Sequence, residues 1–230
     1  PPLVADGEVR IVDHPRYEGD LRSPDRHELF VDRAWWKVLS DTYDFEVCVR
    51  VALGPDDELL GAVPWVEVDD PAGQRLVSLP FCDFVDWPVT MRGWRLLGPS
   101  FADSDRAVVF TTPAEHLLGS DEQFETEVDG VHHQISVGDP DDMVGSFAEL
   151  TRRMIRKSAR VGMRYRLATD ARSLEQYYWL HVAVRKYRHG LLAQSPELFR
   201  SVSENFFRTG NGGVLLAELD GEVVGGCILL

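Results

Sequence analysis

The densest chemistry in this 230-residue chain lies between Arg152 and Arg166. There Arg152, Arg153, Arg156, Lys157, Arg160, Arg164 and Arg166 follow one another with no acidic residue between them. Guanidinium forks match phosphate oxygens, so such a run can hold the phosphates of a tRNA or of a nucleotide-linked precursor. It can equally be a solvated helix face that pairs with acidic chain elsewhere. A second basic group, Arg185, Lys186, Arg188 and His189, falls in what the periodicity predicts to be the last turn of a long helix. Cations are favoured there by the helix dipole, which is reason enough for their type. Arg185 and Arg188 are nevertheless candidates for binding an anionic ligand. His189 is either a helix cap or a proton carrier, since its ordinary pKa lies near neutrality. Gln194 is a candidate polar contact or simply the residue before the next helix. Asp83 and Asp86 flank an aromatic loop of Phe81, Phe84 and Trp87. A carboxylate there can orient or deprotonate an amine, or it can cap its own turn.

Other constellations are missing. No Ser-His-Asp or Cys-His arrangement is evident. Cys48, Cys82 and Cys227 are odd in number and far apart, which speaks against a disulfide framework or a zinc site and for buried thiols in a reducing, cytoplasmic compartment. The vicinal His132 and His133 would point to opposite faces of a strand, so no metal is expected. The Gly210–Gly213 loop lacks the helix and the Lys-Ser/Thr sequel of a phosphate cradle. Trp179 is expected to pack in the core, and the Trp35-Trp36 pair to pack with partial exposure.

The net charge of -14 conceals an asymmetry. Residues 1–145 carry 11 Lys/Arg against 30 Asp/Glu, a net of −19, while residues 146–230 carry 13 against 8, a net of +5. This shift predicts a domain boundary near residue 145, with an acidic first domain and a basic second one. An acidic total disfavours general nucleic-acid affinity but leaves room for a basic surface on the second part. No apolar stretch approaches the roughly 18 residues that cross a bilayer, and no secretory signal is visible at the start.

The elements that must position these residues are legible in outline. Alternation predicts strands at 8–13, 45–53, 59–68, 74–79, 107–111, 124–128 and 131–137, the last two joined by Asp129-Gly130. Apolar spacing near 3.6 predicts a helix over roughly 25–41. In the second part it predicts helices over 146–161 and 171–189 and another opening at Ser195-Pro196, with a strand at 163–168 and a hairpin across Asp220-Gly221. The second half thus reads β-α-α-β-β, and the first echoes it. The class is α/β, an α+β arrangement with mixed sheets. The absent initiator Met and the apolar Leu229-Leu230 end lead us to expect a fragment whose second domain is incomplete.

Three segments carry a resemblance. The first is LHVAVRKYRHGLLAQ (180–194) with the following Leu198-Phe199 and the hairpin from Leu215 to Gly226; the second is the basic helix RRMIRKSARVG (152–162); the third is SLPFCD (78–83). Together they resemble the Fem-type (FemABX-like) tandem-GNAT aminoacyltransferases. That resemblance implies two GNAT-like domains, an acyl or aminoacyl transfer to an amine, and no tightly bound cofactor. The donor it implies is an aminoacyl-tRNA or, as in other GNAT enzymes, an acyl-CoA. The acceptor is a muropeptide precursor or another small molecule. Arg156, Arg185, Arg188 and Gln194 are then expected at the substrate, with Asp83 and His189 in proton transfer. A degenerate, non-catalytic module that binds RNA or protein is the remaining alternative.

Overall fold

Seven consecutive buried residues, Leu60–Val66, mark one strand of the first half as covered on both faces. In the computed structural model, which describes residues 9–15, 17–19, 21, 29–113, 121–131, 133 and 135–230, this strand is β3 (Leu59–Asp70). It follows β1 (Arg10–His14), α1 (Arg33–Tyr43) and β2 (Cys48–Leu53), and precedes β4 (Gly73–Val77), α2 (Met91–Ala102) and β5 (Ala107–Val109). The sheet order is β1-β2-β3-β4-β5. The first three pairings are antiparallel. The last is parallel, with Arg75 opposite Ala107, and a parallel pair needs a crossover, which α2 supplies. The chain divides into two compact units, Pro1–Gly130 and Val131–Leu230, and these elements all belong to the first.

Capping explains where the helices begin. Asp32 accepts from the Ala34 N–H at 2.7 Å to start α1, and Asp44 ends it in the left-handed region at φ 59°. Thr90 starts α2 by accepting from the Gly93 N–H at 3.0 Å, while its hydroxyl donates to the Leu60 carbonyl at 2.8 Å. Gly93 is required there, because a β-carbon would lie 2.1 Å from that same carbonyl oxygen. The approach lets Leu97 and Phe101 become fully buried. Arg50 on β2 brings a guanidinium into this core. It forks onto Asp13 at 2.8 and 2.9 Å, donates to the Ser100 carbonyl at 2.7 Å and lies 4.3 Å over the Phe101 ring.

The second unit contains α3 (Pro140–Ser146), α4 (Glu149–Arg160), β6 (Arg164–Ala168), α5 (Ala171–Ala183), α6 (Pro196–Val202), β7 (Gly213–Leu219) and β8 (Glu222–Leu229). Its sheet is antiparallel in the order β6-β7-β8. One face, with Val214 and Leu216, is buried together with Leu174, Phe199, Val202 and Phe206 of the helical layer. The opposite face leaves Tyr165, Leu167, Cys227 and Leu229 exposed.

Several expectations need correction. Residues 124–128 form no strand, nor do the described residues between 131 and 137; His132, Gln134, Glu8 and residues 22–28 lie outside the described residues. Between the strands expected at 74–79 and 107–111, where the sequence predicts no element beyond the aromatic loop, lies α2. Trp179 is 60% exposed rather than core, whereas Trp35 and Trp36 are both buried. Cys227 is exposed and Cys48 and Cys82 are half-buried, so the thiols are not all interior.

Candidate functional site

Asp170 opens α5 by accepting from the Ser173 N–H at 3.0 Å and from the Ser173 hydroxyl at 2.7 Å. The helix stays regular to Ala183, and Val184–Arg188 then widens into a π-helical turn. Such turns concentrate at functional sites because they misalign the side chains that follow. Here the turn brings Arg185 against the chain that leads to α6. Its Nε donates to the Leu192 carbonyl at 3.0 Å, and the Leu191 N–H returns to the Arg185 carbonyl at 2.9 Å. Gly190 makes the intervening reversal at φ 65°, the left-handed value that glycine adopts without strain. Ser195 closes the loop by capping α6, accepting from the Glu197 N–H at 3.1 Å.

Two buried polar atoms lie under this loop. Gln194 Oε1 and His181 Nε2 are both buried, and Gln194 is the hydrogen-bonding neighbour of the imidazole. The His181 ring sits 5.0 Å from the Phe199 ring. Burial lowers its pKa, the positive charge of Arg185 lowers it further, and the adjacent Gln194 partly offsets the shift. The imidazole is therefore predominantly neutral at pH 7. Sequence reasoning missed His181. The signal was its position four residues before Arg185, on the same side of a helix. Arg188 and His189 follow on the exposed end of the turn, and Lys186 Nζ lies 5.3 Å over the Tyr187 ring.

The structure gathers Arg185, Gln194 and His181 at one turn, with Arg188 and His189 next to them in the chain. Arg156 stands on a different element: on α4 it donates to Glu149 at 2.9 Å, as Arg152 does at 2.8 Å. Arg166, from the same basic run, is committed inside the fold to Glu218 at 2.5 Å, Ser173 at 2.6 Å and Gln176 at 3.0 Å. An open concavity of about 450 Å³ lies on the same unit, lined by Gln176, Trp179, Leu180, Gly221, Glu222 and Val223.

Asp83 belongs to the first unit. It follows β4 in a loop where Leu79 and Phe81 adopt left-handed φ of 73° and 62°, costly for residues with a β-carbon. Phe81 stacks on Tyr43 at 4.6 Å with half its surface exposed. The Asp83 carboxylate is exposed. Its neighbour Cys82 is no nucleophile at neutral pH: burial pushes the thiol up to about 12, and the Asp83 charge adds to the effect.

With this geometry in view, residues 145–230 match the model of the acetyltransferase (GNAT) domain, a stretch that contains Arg156, Arg185, Arg188, His189 and Gln194. The matched stretch falls within the second unit. Among solved structures, that of FemX matches at 14% identity and a TM-score of 0.55, over 85% of this chain and 54% of FemX. The chain therefore has a FemX-like fold and spans about half of FemX's length. No curated protein sequence matches it.

Proposed function

We propose that the protein transfers an acyl or aminoacyl group from an activated ester or thioester to an amine. The observation that carries this reading is the GNAT match over residues 145–230, which encloses the cationic turn from Arg185 to Gln194. In the reaction the neutral amine nitrogen attacks the donor carbonyl carbon and forms the new C–N bond. The tetrahedral intermediate then collapses by breaking the bond to the leaving oxygen or sulfur, and the proton lost by the amine ends on that leaving group. No covalent enzyme nucleophile is needed, because the donor is already activated.

Arg185 and Arg188 bind the anionic part of a substrate, and Gln194 supplies a polar contact. Arg156 joins them when it exchanges Glu149 for a ligand phosphate. Asp83 orients or deprotonates the acceptor amine, with His189 as a second proton carrier. The sequence resemblance to the Fem-type family, with which the FemX-like fold agrees, supports an aminoacyl-tRNA donor and a muropeptide precursor as acceptor, and the scattered cysteines support a cytoplasmic setting. The acetyltransferase description of the matched domain supports the second reading, an acyl-CoA donor acting on a small molecule or polysaccharide precursor. Among the described residues no helix is long and apolar enough to cross a membrane.

The deciding experiment incubates the protein, at its full natural length, with an amine acceptor and either charged tRNA or acetyl-CoA, and follows transfer by mass spectrometry. Product with charged tRNA alone selects the first reading, and product with acetyl-CoA alone selects the second. RNA binding with every acceptor left unmodified would replace both by a non-catalytic module.

A further inference from the structure

Helix α4 buries none of its residues, yet its sequence is sharply two-sided. At 3.6 residues per turn, Leu150, Met154 and Val161, the residue that caps the helix at its C-terminal end, fall within about 40° of one another around the axis. They are 60%, 45% and 49% exposed. Arg153, Lys157 and Arg160 occupy the adjoining arc. Unlike Arg152 and Arg156, which Glu149 engages, these three have no acidic partner among the described residues. An apolar stripe bordered by cations suits one kind of surface: negatively charged headgroups over hydrocarbon.

We propose that α4 docks the protein on an anionic lipid surface, with Leu150, Met154 and Val161 entering the headgroup–acyl boundary and Arg153, Lys157 and Arg160 pairing with lipid phosphates. Nucleic acid would satisfy the cations and leave the apolar stripe in water. A protein groove would have to envelop the helix, but sharp local turns bound α4 on both sides. Arg152 donates to the Gly145 carbonyl at 2.8 Å before it, and Gly162 at φ 80° turns the chain sharply into β6 after it, with the Met163 N–H bonded to the Ser158 carbonyl at 3.0 Å. A helix presented from one side fits a flat partner. The acidic remainder of the chain opposes docking only weakly, because charges beyond about 8–10 Å are screened at physiological salt. This proposal is independent of the transfer reaction and of its donor.

The test is co-sedimentation of the intact chain with phosphatidylcholine vesicles containing half phosphatidylglycerol, against pure phosphatidylcholine, in 0.1 M salt. We expect binding to the anionic vesicles at least tenfold tighter than to the neutral ones. Leu150→Glu/Met154→Glu and Arg153→Glu/Lys157→Glu should each weaken it tenfold or more, with circular dichroism unchanged because all four positions are exposed. Absence of binding, equal binding to neutral vesicles, or binding that neither double variant weakens would overturn the proposal. So would tight binding of a short RNA duplex that only the charge-reversed variant loses, or self-association that only the Leu150/Met154 variant loses.

Discussion

Five of the six tryptophans are buried, and all five lie in the first unit; the sixth, Trp179 in the second, stands 60% exposed. The contrast extends to the sheets. In the first unit β3 is covered on both faces and the central arginine, Arg50, is fully engaged. In the second, one sheet face exposes Tyr165 and Leu167, and the cations of the π-turn and of α4 are largely left to solvent. The lesson is a division of labour. The acidic unit holds the better-packed core, while the basic unit keeps the groups that a ligand can engage. Binding elements are commonly drawn from the less stable part of a molecule.

The sharpest way to break this comparison is to remove a ring from the first core. Phe101→Ala should cost about 3–5 kcal/mol, read as a lower urea midpoint in tryptophan fluorescence, a signal dominated by the first unit. A loss below 1 kcal/mol would mean that this core is no better packed than the second. Gly93→Ala should follow at about 1–3 kcal/mol, because its new methyl group meets the Leu60 carbonyl and α2 must shift. In the second unit the same kind of measurement should register little. Arg185→Ala and Arg188→Ala should weaken ligand binding about tenfold, or about 1.4 kcal/mol, with little change in Tm; equal affinity would remove both from the site.

The smallest expected effect is a dependence on pH. His181 in the unfolded chain takes a proton near its ordinary value of 6.5, whereas burial holds it lower in the fold. Below that pH the unfolded state therefore binds more protons, so the contribution present at neutral pH is lost as pH falls through the folded pKa. Urea unfolding of the second unit, followed by circular dichroism from pH 7.5 downward, should show the decline, and His181→Gln should flatten it.

Much of this architecture was legible because its signals are local. The Ser195-Pro196 start of α6, the Asp220-Gly221 turn and the alternation of β2 to β4 each depend on a few adjacent residues. Helix α2 was hidden because Gly93, Gly98 and Pro99 resemble loop residues, although Gly93 is there to let the helix approach β3. The alternation of 124–128 misled, since a strand needs a partner edge and none pairs with it. At the site, the cations were visible by type. The π-turn that aims Arg185, and the burial that makes His181 unusual, depend on the chain beyond Gly190 folding back.

Strand β6 must wait for its partner. Arg164 pairs with Glu218, far along the chain, while β7 and β8 meet across only Asp220-Gly221. Hairpins close in roughly 1–10 μs, but distant pairings are delayed by the search for closure. During ribosomal synthesis at about 5–20 residues per second, β6 emerges roughly 3–10 s before β7. In that interval the exposed edge is open to chaperones or to pairing with the wrong strand.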